Sequence, residues 1–313
     1  MRSTLYTAFR QHSIRCYSAA TGAVNSHPPY KTLAVEASAP HVLHVRLNRP
    51  DKRNSITAEV FQELRECFDR IDECRHTRAV VLSGEGTVFS SGLDFSEMYT
   101  LISAGGWVIS GEQVSRAPVD IAHNAKVIRK LAKQWQNSLN SIAECSKPVV
   151  AAVNGPCLGV GLEVAIACDV RHCSGDAYFS IREVTVGVAT DLGSIQRVPK
   201  IMGNDSLVRE LAFTGRNLNA TDAFAHGLVS KVLPTGAETV GSAIELAKVI
   251  AGNSPEAVQG TKAGLNYSRD HTVREGLEFM VVWNQCMIQS QDLIKAAMAT
   301  ATGATMPPVF DDL

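Results

Sequence analysis

Hydrophobic and polar positions follow recognisable periods along the first half of the chain. Residues 41–48 alternate between apolar and polar, which predicts a strand. From Thr57 to about Cys74, apolar residues recur at helical spacing with charged residues opposite, which predicts an amphipathic helix capped by Thr57. Short apolar runs at 79–84 and 148–153 predict buried strands. Strands and helices therefore alternate in this half.

The second half of the chain changes in character. A helix is predicted over 121–145, and a glycine-rich turn opens another that ends near Ala167. Strands are predicted at 170–174 and 177–181, and from about Ser206 onward strands are expected to disappear. The helices predicted there span 206–213, 221–226, 237–251, 255–267, 272–289 and 290–301. This order predicts a mixed α/β core followed by a helical C-terminal region.

The first 30 residues have a different composition from the rest. They contain Arg2, Arg10 and Arg15, many Ser and Thr, and no acidic residue precedes Glu36. This is typical of a mitochondrial transit peptide, with a merely disordered tail as the alternative. The C-terminal residues 311–313 do not form an SKL-type peroxisomal signal. We therefore expect the mitochondrial matrix as the location, in preference to the peroxisome.

Composition excludes several classes of protein. The 313 residues are 45% hydrophobic and 19% charged with a net charge of -1, so the overall balance predicts neither nucleic-acid binding nor attraction to an anionic membrane. No apolar run reaches the ~18–20 residues of a spanning helix, and stable membrane insertion is not expected. The eight cysteines include no CxxC pair or zinc-binding spacing, which favours small buried thiols in a reducing compartment.

Three segments combine a tight turn or a helix start with polar chemistry. Phe89–Asp94 follows a strand and carries little side-chain bulk, so its N–H groups can approach a ligand oxygen. Asn154–Glu163 runs through glycines into a helix start, where free N–H groups attract negative charge. In 181–193, Glu183 and Asp191 lie in an apolar stretch, and burial there would raise their pKa values. Each segment alone also fits an ordinary turn with solvated carboxylates.

Amide donors and carboxylates together suit one kind of chemistry. Two N–H groups would polarise a thioester carbonyl until its α-carbon becomes acidic, and the carboxylates would then move protons along the acyl chain. The glycine spacing of 154–163 fits neither a P-loop nor a dinucleotide fingerprint, which leaves an oxyanion cradle as the better interpretation.

Segments 89–94, 147–169 and 178–203 together resemble the crotonase superfamily of enoyl-CoA hydratases and isomerases. Most of the resemblance lies in KPVVAAVNGPCLGVGLEVAIACDVRHCS and FSIREVTVGVATDLGSIQRVPKIMGN, and FTGRNLNATDAFAHGLVSKV extends it. The resemblance implies an α/β fold in which ββα units stack into a spiral, followed by a helical trimerisation region.

The same resemblance implies a division of the chain. Residues 1–30 would be the transit peptide or disordered, 31–225 the spiral core, and 226–313 the helical oligomerisation region. The protein would form a homotrimer or a dimer of trimers. Its substrate would be an acyl-CoA thioester, and no metal or separate cofactor would be needed, because coenzyme A is part of the substrate.

The resemblance also assigns binding residues. The oxyanion donors would be the N–H groups of Leu93 and Val160; the family usually has Gly at the latter place, so the Val160 side chain must point away from the thioester. The thioester pocket would be formed by Ser90, Ser91, Gly92, Leu93 and Asp94. Lys52 and Arg53 lie in a segment that resembles one lining the CoA nucleotide, with ordinary surface cations as the alternative.

Three acids match catalytic positions of the family. Glu163 and Glu183 match the two glutamates of hydratases, whereas an acid at Asp191 is typical of dienoyl-CoA isomerases, which usually have Asp at the position of Glu163. The resemblance therefore implies isomerisation of 3,5-dienoyl-CoA to 2,4-dienoyl-CoA. Asp191 would take a proton from C2 and Glu183 would return one at C6, or the reverse, with Glu163 tuning the pair.

Two alternative functions stay open on the sequence. The nearer one is an enoyl-CoA hydratase that uses Glu163 and Glu183 to add water. The remote one is an RNA-binding homologue, because Lys126, Arg129, Lys130 and Lys133 form a basic stripe at helical spacing. A solvated helix face explains the same stripe.

Overall fold

The computed structural model describes residues 30–96, 121–303 and 308–313. The predicted transit peptide lies almost entirely outside these ranges. Within them the chain forms a mixed α/β fold, as predicted, and none of the helices there is long and apolar enough to cross a membrane.

A six-stranded sheet forms the centre of the fold. Its strand order is β1-β2-β3-β4-β6-β9, with β1 and β2 antiparallel and all other neighbours parallel. The strands are β1 Leu33–Ala39, β2 Val42–Leu47, β3 Ala79–Gly84, β4 Val149–Val153, β6 Val170–Ser174 and β9 Lys231–Leu233. A second sheet has the order β5-β7-β8, formed by Cys157–Leu158, Tyr178–Ser180 and Leu218–Asn219.

Ten α-helices surround the sheets in the described ranges. They are α1 Ala58–Glu73, α2 Ile121–Glu144, α3 Val160–Ala167, α4 Ser194–Ile201, α5 Asp205–Thr214, α6 Ala220–Ala225, α7 Gly236–Ala251, α8 Pro255–Ser268, α9 Val273–Met287 and α10 Gln291–Ala301. Two 3₁₀ turns span Pro50–Lys52 and Glu183–Val186. The Thr57 hydroxyl accepts a hydrogen bond from the N–H of Val60, which confirms the predicted start of α1.

Both faces of the large sheet are buried. Side chains alternate along β3, so that Val80 and Leu82 join the main core with α1, α2 and α3, while Val81 faces the other way. On that second face a small cluster packs against Ala243 and Ala247 of α7. The run of apolar residues in β3 and β4 follows from this double burial.

The expectation that strands disappear after Ser206 is wrong. Strands β8 and β9 follow it, and β9 pairs with β6 at the edge of the large sheet. Strands of two and three residues are too short to show an alternating pattern. The sheet thus continues past residue 225, where the resemblance placed the end of the core, and α7 covers it. An oligomerisation role for 226–313 stays a prediction.

Helix α4 and strand β1 were not predicted. Pro199 lies inside α4, and a proline in a helix interior removes a hydrogen-bond donor, so the local sequence argues against a helix there. The helix nonetheless buries Ser194 and Val198. Its start is important for the site, because Ser194 comes three residues after Asp191.

Candidate active site

A cavity of about 510 Å³ opens between the loop Phe89–Asp94, which we call the oxyanion-like loop, α2, α3 and the segment 182–192. We call it the acyl cavity. It is lined by seven of the predicted site residues, namely Ser91, Gly92, Leu93, Val160, Glu163, Glu183 and Asp191. The structure therefore brings the three acids and both candidate amide donors to one place. The roles of these residues stay predictions.

Two main-chain N–H groups at this cavity have no recorded acceptor. Ile56 donates its N–H to the Gly92 carbonyl at 2.8 Å and accepts the N–H of Asp94 at 2.8 Å. This parallel pairing turns the N–H of Leu93 away from Ile56. Val160 is the first residue of α3, where an N–H has no partner within the helix. In the described ranges neither N–H donates a hydrogen bond.

Glycines allow the two segments that carry the Leu93 and Val160 N–H groups, which we call the first and second donor segments, to come close together. A Cβ on Gly92, whose φ is 91°, would lie 2.8 Å from the Leu158 carbonyl oxygen and 3.7 Å from the Val160 nitrogen. A Cβ on Gly161 would lie 2.7 Å from the Cβ of Ser90. Real Cβ atoms do not come within 3.0 Å of other atoms, so a residue with a side chain at Gly92 or Gly161 would separate the loop from the helix.

The Val160 side chain, at a place where the resemblance gives glycine as usual, is buried in the core. It is 4% exposed and belongs to the main core cluster. Val160 also lines the acyl cavity.

Two predicted pocket residues support the loop instead of lining the cavity. Ser90 is fully buried, and its hydroxyl donates to the Asn54 carbonyl at 2.8 Å and accepts the N–H of Gly92 at 3.2 Å. Asp94 forms an ion pair with Arg49 at 3.3 Å and accepts the Ser55 hydroxyl at 2.9 Å. Neither is among the residues that line the acyl cavity. Both side chains fix the shape of the loop.

Glu163 is the most deeply buried of the three acids. It is 1% exposed, and one carboxylate oxygen accepts the Ser194 N–H at 3.2 Å and the Ser194 hydroxyl at 3.1 Å. The other oxygen has no partner among the described residues. Burial, followed by the charges of Glu183 and Asp191, raises the pKa of Glu163 from 4.5 to about 8. Glu163 is therefore largely protonated at neutral pH.

Glu183 lies beside the second donor segment. Its Oε1 is 3.0 Å from the point where a Cβ on Gly159 would stand, and Gly159 directly precedes Val160. Its Oε2 accepts the Thr190 hydroxyl at 3.4 Å. Burial and the charge of Asp191 raise the pKa of Glu183.

Asp191 lies at a more open end of the cavity. Asp191 is exposed when the whole residue is considered, but its carboxyl group is partly buried, and this burial raises the pKa of Asp191. Gln136 of α2 donates to the Asp191 carbonyl at 2.7 Å. Arg197 donates to the Leu192 carbonyl at 3.5 Å and to the Asn140 side chain at 2.6 Å. Helix α2 thus holds the turn that carries Asp191.

The wall of the acyl cavity is largely apolar. Apart from Leu93 and Val160, sequence reasoning gave a site role to none of its hydrophobic members, which are Phe95, Ile128, Leu131, Ala132, Trp135, Leu158, Val186, Val188 and Leu192. Trp135 stacks on Phe61 of α1 with ring centroids 4.9 Å apart. The apolar positions of the predicted 121–145 helix indicate a face that is buried or lines a cavity, and this pattern could have pointed to the helix as part of the wall.

The predicted CoA-binding pair lies near the cavity without lining it. Lys52 and Arg53 are exposed at the first 3₁₀ turn. The Arg53 carbonyl accepts the N–H of Ser91 at 2.9 Å, which ties this turn to the oxyanion-like loop. Contact with a CoA phosphate stays a prediction. The basic stripe Lys126, Arg129, Lys130 and Lys133 is exposed on α2, which fits a solvated helix face.

In the ranges that the structure describes, no three His, Cys, Asp or Glu side chains are arranged to hold a metal ion.

The fold and the sequence both match known proteins. A crystal structure of an enoyl-CoA hydratase from Bacillus anthracis is similar over 90% of this chain and 99% of its own, with a TM-score of 0.77 and 27% identity. The fold is therefore crotonase-like. A profile of the family described as Enoyl-CoA hydratase/isomerase matches residues 38–114 and 110–300. This chain belongs to that family.

Two curated relatives are more similar in sequence. The mitochondrial Delta(3,5)-Delta(2,4)-dienoyl-CoA isomerase of Homo sapiens is 42% identical over 280 residues, covering 90% of this chain and 82% of the relative. The protein of the same name from Rattus norvegicus is 43% identical over 270 residues, covering 86% and 79%.

Proposed function

We propose that this protein converts 3,5-dienoyl-CoA to 2,4-dienoyl-CoA, a step in fatty-acid β-oxidation. The observation that carries the proposal is the presence of Asp191 together with Glu183 at one apolar cavity beside two free amide donors. Two relatives above 40% identity bear the name of this isomerase. The apolar wall suits a hydrocarbon chain, and the two acids suit proton transfer at two separated carbons.

The thioester carbonyl would lie between the N–H groups of Leu93 and Val160. Hydrogen bonds there stabilise negative charge as it develops on the oxygen, which makes the C2 protons acidic. Loss of a C2 proton gives an enolate conjugated through C6. Protonation at C6 then yields double bonds at C2 and C4 and restores the carbonyl. The reaction is redox-neutral, so its chemistry calls for no redox cofactor.

Geometry favours Glu183 as the base at C2 and Asp191 as the acid at C6. C2 is bonded to the thioester carbon, so it must lie next to the oxyanion donors. Glu183 Oε1 lies 3.0 Å from the point where a Cβ on Gly159 would stand, and Gly159 is one residue before the Val160 donor. This supports the reverse of the order first expected from the resemblance, which had left both orders open.

Glu163 would act as a neutral neighbour of this pair. With its pKa near 8, it carries a proton at pH 7 and adds little charge to the cavity. A third ionised carboxylate would make both Glu183 and Asp191 harder to ionise. Neutral Glu163 therefore leaves Glu183 able to lose its proton and serve as a base.

Hydration of an enoyl-CoA is the competing function. Glu163 and Glu183 both line the cavity, as two hydratase glutamates would. Assays with a 3,5-dienoyl-CoA and with a 2-enoyl-CoA separate the two functions. We expect a rapid gain of conjugation with the first and little water addition with the second. Fast hydration without a shift of double bonds would refute the isomerase.

Substitution of Asp191 tests the same conclusion within one active site. Asp191→Asn keeps the shape but removes the proton, so isomerisation should fall by ~10²–10⁴-fold while acyl-CoA still binds. Asp176→Asn, at an exposed turn away from the cavity, is the matched control and should keep full activity. Full activity of Asp191→Asn would exclude the proposed role.

We also propose that the protein acts in mitochondria as a homo-oligomer. Both relatives above bear mitochondrial names. Helix α9 exposes Val273, Leu277, Val281 and Val282 by 55–80%, and a row of large apolar side chains on one helix suits burial between subunits. Size measurement by light scattering tests for a trimer or a dimer of trimers.

A further inference from the structure

A second cavity lies on the other side of Asp191. Its volume is about 610 Å³, it is open to solvent, and α2, α4 and α8 form its borders. Asp191 and Leu192 line both this cavity and the acyl cavity. We call it the polar cavity, because amide and charged side chains such as Gln136, Asn140 and Asn266 form most of its lining. Besides Asp191, its charged members are Glu144, Arg197, Lys200, Arg269 and Asp270.

The three acids differ in their access to this space. Asp191 lines both cavities, whereas Glu163 and Glu183 line the acyl cavity and not the polar cavity. An acyl chain against Leu131 and Trp135 would displace water from the acyl cavity. The polar cavity would stay hydrated, since its volume holds many waters at ~30 Å³ each and its lining offers hydrogen bonds.

The proposed reaction leaves the two acids in the wrong protonation states for another turnover. Glu183 has gained the C2 proton, and Asp191 has given its proton to C6. One proton must therefore enter at Asp191 and one must leave from Glu183, with no net consumption. The route of each proton depends on which acid contacts water while the chain is bound.

We propose that the polar cavity supplies the proton of Asp191, so that the hydrogen added at C6 comes from solvent and not from C2. This inference rests on the proposed isomerase function. Water in the polar cavity donates a proton to the Asp191 carboxylate while the acyl chain still fills the other cavity, and the hydroxide left behind passes to bulk solvent, where the proton later released by Glu183 neutralises it. Glu183 releases the C2 proton only after the product has left.

Exchange in D₂O tests the proposal with two variants. Glu183→Gln cannot protonate C2, so 2,4-dienoyl-CoA should not isomerise but should still gain deuterium at C6 through Asp191. Asp191→Asn retains only Glu183. Deuterium should therefore enter C2 of 3,5-dienoyl-CoA in this variant at least ~10-fold more slowly than it enters C6 of 2,4-dienoyl-CoA in Glu183→Gln. Mass spectrometry and NMR of recovered thioester measure both rates.

Filling the polar cavity tests the route itself. Ala143 lines it on the same face of α2 as Gln136 and Asn140, so Ala143→Phe in the Glu183→Gln background should slow C6 exchange several-fold. Ser141→Phe is the matched control, since Ser141 does not line the polar cavity and lines a neighbouring cavity between α1 and α2. If Ala143→Phe does not fold, Gln196→Trp fills the same cavity from α4.

The outcomes separate the inference from the proposed function. An active wild-type isomerase whose Glu183→Gln variant shows no C6 exchange would overturn the inference alone. Equal C6 exchange in the Ala143 and Ser141 variants would also overturn it, because the proton would then enter from the acyl side. A wild-type protein that does not isomerise 3,5-dienoyl-CoA would overturn the proposed function first.

Discussion

Ser194 donates two hydrogen bonds to a single carboxylate oxygen of Glu163, from its N–H at 3.2 Å and from its hydroxyl at 3.1 Å. Ser194 begins α4, three residues after Asp191. The short turn 191–194 therefore carries Asp191 and, through Ser194, also fixes the carboxylate of Glu163. The protonation of Glu163 and the position of Asp191 depend on the same stretch of backbone.

Removal of the Ser194 hydroxyl should raise the pKa of Glu163 further. Both Ser194 bonds favour the ionised carboxylate and partly offset the effect of burial. Ser194→Ala keeps only the N–H bond, so the titration of Glu163 should move above 8, as followed by carboxyl infrared bands. Ser138→Ala, at another buried serine with no link to the acids, should leave it unchanged. A downward shift would contradict this account.

The stability of the protein should fall as pH rises through the range set by Glu163. Its pKa is raised from 4.5 to about 8 on folding, so the folded state binds the proton more tightly than the unfolded state. This contribution is fully present below pH 4.5 and is lost progressively up to about pH 8.

Glu163→Gln, which mimics the protonated carboxyl, should remove much of that dependence. At pH 8 we expect the variant to be more stable than the wild type by ~1–3 kcal/mol, and the difference should shrink toward pH 5. Urea unfolding at several pH values measures it. Parallel pH profiles for the two proteins would show that Glu163 is not the titrating group.

Gly92→Ala should impair catalysis more than it impairs folding. The added Cβ would approach the Leu158 carbonyl to 2.8 Å and force the two donor segments apart. We expect kcat to fall by ~10²–10³-fold, the range seen when one oxyanion donor is lost. Gly227→Ala is the control, because its φ of 80° imposes a similar backbone strain where the nearest atom is 3.6 Å away. Equal losses in both variants would point to strain alone.

Gln136→Leu should loosen the turn that carries Asp191. The lost bond to the Asp191 carbonyl is worth ~0.5–1.5 kcal/mol, which predicts a ~3–10-fold lower kcat with little change in KM. Gln134→Leu, at an exposed position of the same helix, should have no effect. An unchanged kcat in Gln136→Leu would show that the remaining contacts fix the turn.

Elements with both a period and a boundary signal were predictable from the sequence. Helix α1 begins after Thr57 as expected, since the cap and the apolar spacing point to the same residue. Strands β8 and β9 were not predictable, because they form through pairing with β7 and β6 and not through their own pattern.

The sequence located the site but not the direction of each side chain. The motif that contains Ser90 and Asp94 does form the loop at the cavity, yet both side chains turn toward Asn54, Ser55 and Arg49. Trp135 lay in a predicted helix with no link to the site. Its position depends on tertiary packing against Phe61, which no local pattern encodes.

Glu183 and Asp191 are joined by one short tether, residues 184–190. The tether folds into a 3₁₀ turn, and Gly187 then reverses it with a φ of 80° while Val188 donates to the Glu183 carbonyl at 3.0 Å. The reach between the proton-accepting and proton-donating groups is thus a property of loop length. A protein of this shape with a shorter or longer tether would shift unsaturation across a different number of carbons, without any exchange of the acids themselves.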